Sequence, residues 1–453
     1  MSPKWSDFAP PPRDLTGDYK WNVFLSYRSV NRPWVLGLYD VLRELGHQVF
    51  IDQVVLKAGD PLTRVLEDNL VASQAGVLIW SSAAADSSWV RDEYEAMRAL
   101  EKRGAGFLFV PVKLDDEELP LFAATKVFLD FAAYPDGPNG GELLRLLCAI
   151  GGEALSDEAA HFAAAQDEAA GAALIEIKAA IDIGQGRALL RLFDEGGLPW
   201  ETTPVLGCRA ADGLARIGDN ENAIAVLEAV EKRFPKSIRP KQLRAMALAR
   251  RAEERVKEIG RIAATSDDQV NADLDDAQFI MGKLEVAGEH DPETLGIYAR
   301  TWMDRHDLGG DIGDLEKSRA LYTRAFEGAQ DDYYTGINAA AKSVFLGTDD
   351  DLKKAAELAE RVQEIVGTEA VVGDYWHTAT VGEVFLIKQD YESAARLYGL
   401  AVTDAIKEVG SHKSTWKQAC RLMNKLQPPD DQRDMVRAAF KHLPDCDQML
   451  AEE

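Results

Sequence analysis

Cysteine is scarce in this chain of 453 residues and occurs only at Cys148, Cys208, Cys420 and Cys446. None of the four stands in a Cys-x-x-Cys spacing, and the seven histidines are dispersed with no pair at metal-ligand spacing. Disulfide frameworks and structural zinc sites depend on such clusters. The sequence therefore predicts no disulfide framework, no metal site, and a reducing, cytoplasmic location.

Long apolar runs and positive charge are also in short supply. No stretch is long enough to cross a bilayer, and no signal peptide opens the chain, so we expect no membrane association. The 51 lysines and arginines are outnumbered by 76 aspartates and glutamates, which gives a formal net charge of −25. A surface with that excess repels phosphate backbones and anionic lipids, which argues against nucleic acid and membrane as partners.

Residues 20–150 alternate short apolar runs with amphipathic helices, and a proline-rich lead-in over 1–19 is predicted to be disordered. Strands are predicted at 21–26, 48–52, 76–80, 107–112 and 127–131, and helices at 31–45, 61–73 and 89–103. Near-continuous apolar strands separated by helices indicate a parallel sheet covered on both faces. Ligands of such sheets bind at the carboxyl ends of the strands.

Residues 153–453 contain only helical patterns, and these carry a weak internal repeat. Leu315, Leu352 and Tyr391 each open a helix, at spacings of 37 and 39 residues, and each is followed six positions later by a leucine. Two helices in a period of roughly 34–40 residues are typical of an α-solenoid. We therefore predict an all-α repeat domain after the sheet domain.

Glu93 stands four residues after Trp89 in a predicted helix. Positions i and i+4 share a helix face, so the indole and the carboxylate are expected to point into the same space. One aromatic plate beside one carboxylate suits a cationic, sugar-bearing ligand. By themselves, however, Glu93 also fits a solvated surface residue and Trp89 a core residue.

Four sequence pieces, in order, resemble a Toll/interleukin-1 receptor (TIR) domain over about residues 20–150. They are the pieces at 24–28, 49–52, 56–60 and 88–93. The resemblance implies an α/β fold with a flavodoxin-like, five-stranded parallel sheet. It also implies one of two functions, because some TIR domains only associate with partners whereas others cleave NAD+.

The NAD-cleaving members carry a glutamate at the place of Glu93 and a tryptophan four residues before it. The resemblance therefore implies that Glu93 is catalytic and that Trp89 forms a wall of the site. It further implies that Ser26, Tyr27 and Arg28 face the nucleotide. NAD+ would be the substrate, and no cofactor or metal would be needed.

The loop at 53–60 resembles the mobile loop through which TIR domains contact a neighbouring copy. Lys57, Gly59 and Asp60 are the residues that this likeness assigns to assembly. Some NAD-cleaving members place an aromatic residue just after the loop glycine, where this chain has Asp60, Pro61 and Leu62. This departure leaves the ligand contacts of the loop unassigned.

The helical region resembles tetratricopeptide (TPR) repeats. Within that class, the pieces at 332–339 and 374–376 are similar to the TRAF-binding region of stress-activated kinase kinase kinases, over about residues 270–427. Such repeats imply an extended surface for an unidentified protein partner. The two resemblances together imply an NAD-cleaving effector of bacterial anti-phage defence, activated by TIR self-association and controlled by the repeats.

A function from another class also fits the sequence, namely a non-enzymatic scaffold that recruits proteins through both domains. Glu93 favours the enzyme, whereas the unusual residues Asp60 and Pro61 favour the scaffold. Within the enzyme hypothesis, hydrolysis to ADP-ribose and cyclisation of ADP-ribose both follow the same bond cleavage, so the sequence leaves both products open.

Overall fold

The computed structural model describes residues 7–51, 62–85, 87–104, 106–120, 123–124, 127–135, 137–288, 290–329 and 332–451. The chain divides into two compact units, Met1–Leu248 (unit 1) and Ala249–Glu453 (unit 2).

Unit 1 is built around a parallel sheet with the strand order β2-β1-β3-β4-β5. The strands are β1 (Trp21–Ser26), β2 (Val49–Phe50), β3 (Ser73–Trp80), β4 (Leu108–Lys113) and β5 (Leu129–Asp130). All eight residues of the central strand β3 are buried, as expected for a sheet with helices on both faces. The predicted α/β fold with a five-stranded flavodoxin-like sheet is confirmed.

The predicted third strand begins too late, because β3 starts at Ser73 rather than at Gly76. Because Ser73 and Gln74 are polar, the sequence pattern placed them at the end of the preceding helix and not in the strand. Both are nevertheless buried: the Ser73 hydroxyl donates to the Asn69 carbonyl at 2.7 Å, and the Gln74 amide donates to the Asp14 carbonyl at 2.7 Å. Hydrogen bonds of this kind let polar residues occupy a sheet interior.

Ten helices and the start of an eleventh accompany the sheet in the described part of unit 1. They are α1 (Arg32–Glu44), α2 (Leu62–Val71), α3 (Ser82–Ala85), α4 (Ser88–Lys102), α5 (Gly140–Gly151), α6 (Asp157–Asp182), α7 (Gly186–Glu195), α8 (Leu198–Thr202), α9 (Val205–Arg216), α10 (Asn220–Arg233) and α11 (Arg239–Ile259). Helices α6–α10 follow the sheet domain in sequence but belong to the same compact unit.

The described part of the lead-in, residues 7–19, lies against the sheet domain and α6. The rings of Phe8 and Phe162 lie 4.7 Å apart, and the side-chain amide of Asn22 donates to the Arg13 carbonyl at 2.7 Å. The sequence predicted a disordered lead-in here, because a proline-rich segment forms neither helix nor strand. Extended segments are nevertheless held when buried side chains satisfy their carbonyl groups.

The sheet domain and the helices after it are joined by buried polar contacts. The backbone N–H of Ile238 donates to Oδ2 of Asp40 at 2.6 Å, although Asp40 lies within α1 and is only 1% exposed. On the other side, Asp167 of α6 accepts hydrogen bonds from the Tyr134 hydroxyl at 3.0 Å and from the Gly141 N–H at 2.6 Å. Helix α6 and the residues before α11 therefore cover two flanks of the sheet domain.

Unit 2 consists of paired helices in its described residues. They are the end of α11, α12 (Arg261–Ala264), α13 (Asp268–Val286), α14 (Pro292–Gly309), α15 (Ile312–Gly328), α16 (Tyr333–Leu346), α17 (Asp349–Val366), α18 (Tyr375–Ile387), α19 (Tyr391–Asp404), α20 (Val409–Leu426), α21 (Asp430–Ala439) and α22 (Cys446–Ala451). No described helix has the length and hydropathy needed to cross a membrane.

The sequence repeat corresponds to helices α15, α17 and α19. The repeated leucines Leu321, Leu358 and Leu397 are all buried in the core of unit 2, at exposures of 8%, 0% and 0%. Close packing also explains Gly336 of α16, because a Cβ atom there would lie 2.7 Å from Val362 and 2.9 Å from Phe326. The predicted helical-repeat architecture is confirmed.

The sequence predicted no disulfide framework, and the structure contains one disulfide among its described residues. Cys420 of α20 and Cys446 of α22 form a disulfide whose Cα atoms lie 5.3 Å apart, whereas Cys148 and Cys208 are free and buried. The sequence separation of 26 residues between the two partners hides this pairing in the sequence. Helix α21 lies between α20 and α22 in the chain, and the fold brings the two cysteines together.

Candidate active site

The candidate site lies where the strand order of the sheet reverses. Strands β1 and β3 are neighbours, with β2 on one side and β4 on the other. The chain therefore leaves β1 and β3 in opposite directions, and a crevice opens at their carboxyl ends. Ser26 is the last residue of β1, and it stands opposite Leu78 of β3.

Glu93 reaches this crevice from helix α4. Ser87 caps the helix, since its hydroxyl accepts the Val90 N–H at 3.3 Å. Val90, Tyr94 and Met97 bury one face of α4 in the core of the sheet domain. This anchoring leaves Glu93 half-buried at the edge of the buried face.

The carboxylate of Glu93 is tied to the end of β1. The Ser26 hydroxyl donates a hydrogen bond of 2.5 Å to Oε2 of Glu93, and Ser26 itself is 1% exposed. A hydrogen bond to a charged acceptor is short and comparatively strong. Two residues 67 positions apart in sequence, on a strand and a helix, therefore form one unit.

The other predicted site residues fall partly outside the described structure. Trp89 belongs to α4, four residues before Glu93, but its side chain is outside the described part of the chain. Lys57, Gly59 and Asp60 likewise lie outside the described residues. Their predicted roles stay predictions.

Tyr27 and Arg28 directly follow β1, as predicted for residues at the carboxyl end of a strand. Tyr27 is 7% exposed, so most of its ring is in the core, and Arg28 is half-buried. The Arg28 carbonyl accepts the Asn31 N–H at 2.8 Å, which turns the chain sharply after the strand. Arg28 is thus the more accessible of the two.

The loops that follow β1 and β3 are linked to each other. The Ser81 hydroxyl, just after β3, donates to Oδ1 of Asn31 at 2.8 Å and accepts the Ala84 N–H at 3.2 Å. This link fixes the rim of the crevice on the side of α3. Neither residue was predicted from the sequence, since a lone serine and a lone asparagine carry no spacing signal.

The acidic neighbours of Glu93 on α4 differ from it in burial. Asp92 and Glu95 are exposed, and Glu95 pairs with Arg98 at 3.2 Å. Tyr94 is buried, and its hydroxyl has no hydrogen-bond partner among the described residues. Among Asp92, Glu93 and Glu95, only Glu93 lies in the crevice.

The geometry supports electrostatic chemistry by one oriented carboxylate. Within the described residues, no three His, Cys, Asp or Glu side chains are grouped so as to hold a metal ion. A carboxylate held in place by a hydrogen bond can accept hydrogen bonds from a ligand diol and can face a developing positive charge. Both tasks arise when a cationic base departs from a sugar.

Two family models match the chain in separate segments. The model of the TIR domain matches residues 23–146, and the model described as Tetratricopeptide Repeats-Sensor matches residues 210–344. The matches confirm the TIR domain and the TPR-like repeats that the sequence motifs predicted.

Curated relatives match the TIR segment. The "Probable 2' cyclic ADP-D-ribose synthase TcpB" of Brucella melitensis biotype 1 is 29% identical over 91 residues, which are 20% of this chain and 36% of the relative. The "NAD(+) hydrolase PdTIR" of Paracoccus denitrificans is 27% identical over 115 residues, which are 25% of this chain and 38% of the relative. The chain thus spans little more than a third of the length of either relative.

Proposed function

We propose, for a chain that joins a TIR domain to a Tetratricopeptide Repeats-Sensor region, that it cleaves the nicotinamide–ribose bond of NAD+. The observation that carries the proposal is the carboxylate of Glu93, held at 2.5 Å by Ser26 in the crevice at the strand-order reversal. The names of the two relatives, an NAD+ hydrolase and a cyclic ADP-ribose synthase, support the same reaction class.

A single carboxylate suffices for this reaction because of the leaving group. Glycoside hydrolysis usually needs a second carboxyl group to protonate a poor leaving group. Nicotinamide in NAD+ is already cationic, so the electron pair of the breaking C–N bond neutralises it and no proton is required. No cofactor enters the reaction.

Glu93 would stabilise the positive charge that develops on the ribose as the bond breaks. A pre-organised electrostatic contact of this kind is worth about 3–4 kcal/mol. Trp89 would stack on the nicotinamide, for about 0.5–2 kcal/mol while the ring is cationic. Arg28 would pair with a pyrophosphate oxygen, and Tyr27 would support the ribose side of the crevice.

The resulting cation can be captured in two ways. Attack by water, with loss of a proton, gives ADP-ribose, whereas attack by a nucleophile within the same molecule gives a cyclic product. The two relatives carry one name of each kind. Chromatography of the products separates these outcomes.

Self-association is the second part of the proposal. The loop containing Lys57, Gly59 and Asp60 would complete the site of a neighbouring TIR domain, so specific activity should rise with protein concentration. The TPR-like repeats would set the spacing of the TIR domains after binding a protein partner. We place this activity in the cytoplasm, where NAD+ is abundant, as part of anti-phage defence.

Glu93→Gln tests the proposal most directly. The purified full-length chain is incubated with NAD+, with and without a crowding agent, and free nicotinamide is measured. We expect Glu93→Gln to retain less than about a tenth of the wild-type turnover, a loss above ~1.4 kcal/mol. Asp92→Asn, an exposed acid on the same helix, is the matched control and should be near neutral.

If Glu93→Gln releases nicotinamide as fast as wild type, Glu93 is not catalytic. If the wild type releases none under assembling conditions either, the scaffold function replaces the enzyme. In that case the two domains would act by recruiting proteins, and the association of the TIR domains alone would remain to be measured by light scattering.

A further inference from the structure

Asn31 stands at the start of α1 but does not cap that helix. It occupies the N-cap position, where an asparagine side chain usually accepts a backbone N–H of the first helical turn. Within the described residues Asn31 makes no such side-chain hydrogen bond. Its side chain instead contacts Ser81, which lies 50 positions away in sequence and directly follows β3. A long-range contact at the rim of the crevice therefore replaces a local, helix-stabilising one.

The bridge between Asn31 and Ser81 has a defined direction. The Ser81 hydroxyl, 3% exposed, donates to Oδ1 of Asn31 at 2.8 Å and accepts the Ala84 N–H at 3.2 Å. Because the hydroxyl oxygen already accepts this N–H, its proton is available for the side-chain carbonyl of Asn31. This arrangement favours the amide orientation in which Oδ1 faces Ser81.

Asn31 also closes the turn that begins at Arg28. Its backbone N–H donates to the Arg28 carbonyl at 2.8 Å, and Ser29–Asn31 form one short 3-10 turn. Val30, inside this turn, is 66% exposed, so its side chain adds little apolar burial to hold the turn in place. Through its backbone and its side chain, Asn31 therefore ties the turn to β1 and to the residue after β3.

The two ends of the bridge follow the two strands that form the crevice. Ser26 ends β1, and Ser81 directly follows β3, the neighbour of β1 in the sheet. A hydrogen bond between the loops after these strands fixes their separation at the place where ligands of parallel sheets bind. Since Arg28 lies in the loop on the β1 side, the position of its backbone depends on the bridge.

We propose that Asn31 is a positioning residue that, through Ser81, holds Arg28 in place for the pyrophosphate of NAD+. This inference rests on the proposed function, in which Arg28 pairs with a pyrophosphate oxygen. An arginine contributes more to such a pair when less of its freedom is lost on binding. The bridge orders the turn before the substrate arrives, and the role does not require Asn31 to touch the substrate.

Glu93 is held independently of this bridge. The buried face of α4 anchors the helix in the core of the sheet domain, and the Glu93 carboxylate accepts the Ser26 hydroxyl at 2.5 Å. Loss of the bridge should therefore weaken the binding of the pyrophosphate and leave the bond-breaking step nearly unchanged. Such a loss raises KM at constant kcat.

Steady-state release of nicotinamide by the full-length chain tests this division. Because the Asn31 side chain does not cap α1, Asn31→Ala removes the bridge without removing a cap. We expect its KM for NAD+ to rise about fivefold to tenfold, as for a lost hydrogen bond, with kcat within about twofold. Ser82→Ala is the matched control and should be near neutral. Ser82 is an exposed serine of the same loop, and its hydroxyl donates to Asp115 at 2.8 Å.

A double-mutant cycle tests whether Asn31 and Ser81 act as one unit. Ser81→Ala should raise KM as much as Asn31→Ala, and the double variant should raise it no further. Ser81→Ala leaves the Ala84 N–H its backbone acceptor, the Ser81 carbonyl at 2.9 Å, so α3 keeps that contact. If Ser81→Ala fails to fold, Asn31→Ala decides with the two ligands described next.

Ligands with and without a pyrophosphate locate the effect. ADP-ribose carries the pyrophosphate, whereas nicotinamide riboside carries the base and one ribose but no phosphate. Both are measured as competitive inhibitors of NAD+ consumption, and binding of ADP-ribose is also measured by calorimetry. Asn31→Ala should weaken ADP-ribose about fivefold to tenfold and nicotinamide riboside less than about twofold. A general loss of structure would weaken both ligands alike.

Three results overturn the proposal: an unchanged KM in Asn31→Ala, additive effects of Asn31→Ala and Ser81→Ala, or equal weakening of the two ligands. If the wild type releases no nicotinamide under assembling conditions, the proposed function fails and calorimetry decides alone. Weaker binding of ADP-ribose by Asn31→Ala than by Ser82→Ala then supports the role of Asn31. Equal binding by the two variants, or no binding by the wild type, overturns it.

Discussion

The hydroxyl of Ser26, at the end of β1, donates a 2.5 Å hydrogen bond to Oε2 of Glu93 on α4. Ser26 is buried and Glu93 is half-buried, so the bond joins the floor of the crevice to its rim. The sequence resemblance assigned Ser26 to substrate binding. In the fold its hydroxyl is already engaged with the carboxylate, which favours a positioning role.

We therefore expect Ser26→Ala to lower kcat while leaving KM within about twofold. Hydrogen bonds to charged groups contribute about 1.5–3 kcal/mol, so the loss in kcat should be roughly tenfold to a hundredfold. Ser26→Thr keeps the hydroxyl and should recover most of the activity. The measurement is steady-state nicotinamide release over a range of NAD+ concentrations.

Ser73→Ala is the matched control for this substitution. Ser73 is a fully buried serine of the same sheet, and its hydroxyl bonds to the Asn69 carbonyl at 2.7 Å, away from Glu93. It should cost stability without a specific loss in kcat. A rise in KM at constant kcat in Ser26→Ala would instead restore Ser26 as a substrate contact.

The sequence predicted the architecture of unit 1 better than its connections. Runs of apolar residues at strand length predict a buried parallel sheet. The motif that ends at Glu93 was predicted to be helical, and it lies in helix α4. The contact between Asp40 and Ile238 spans 198 positions and involves a backbone N–H, which leaves no trace in residue pattern. Long-range pairings of this kind depend on how elements pack, not on local propensity.

The contact between Ser26 and Glu93 was partly predictable from the sequence, unlike the contact between Asp40 and Ile238. Each residue stood in a motif that the sequence analysis identified, and a parallel sheet with a switch point brings such motifs together. The hydrogen bond itself requires side-chain geometry that spacing does not encode.

Asp40 provides a second test of the packing in unit 1. Asp40→Ala should destabilise the chain by about 1–3 kcal/mol, because the buried N–H of Ile238 would lose its acceptor. Glu44→Ala is the control on the same helix. Glu44 pairs with the Lys236 ammonium at 3.6 Å and accepts the exposed Lys236 backbone N–H at 3.2 Å. Since both contacts are exposed to solvent, the expected loss is below about 1 kcal/mol. Chemical denaturation of the full-length chain measures both, and equal losses would contradict the assigned role of Asp40.

His47 should make the stability of unit 1 depend on pH. The side chain is 5% exposed, neither ring nitrogen has a hydrogen-bond partner among the described residues, and burial lowers its pKa from 6.5 to about 4. In the unfolded chain His47 binds a proton below about pH 6.5, whereas in the folded chain it binds one only below about pH 4. This contribution is complete above pH 6.5 and is lost as the pH falls.

Between about pH 7 and pH 5 the loss attributable to His47 should be about 2 kcal/mol. His47→Phe removes the titrating group, so its free energy of unfolding should fall less over the same interval. His161→Gln, at an exposed histidine of the same unit, is measured alongside as the control for replacing a histidine. Parallel profiles for wild type and His47→Phe would show that the pKa of His47 is the same in the folded and unfolded chain.

The disulfide between Cys420 and Cys446 should stabilise the end of unit 2. It fastens the short helix α22 to α20, beside the buried side chains Phe440, Leu443 and Met449. Closing a loop of 26 residues restricts the unfolded chain and contributes about 3 kcal/mol in the chain-entropy model. Reduction should therefore lower the melting temperature of wild type and leave that of Cys446→Ala unchanged.

Counting thiols under denaturing, non-reducing conditions checks the premise. Alkylation should label Cys148 and Cys208 only, because the other two cysteines are paired. Cys208→Ala is the control for the loss of a buried cysteine. It should alter stability equally with and without reductant, since burial raises the pKa of the Cys208 thiol to about 12 and keeps it unreactive. If all four cysteines are alkylated and reductant has no effect on wild type, α22 is held by its apolar contacts alone.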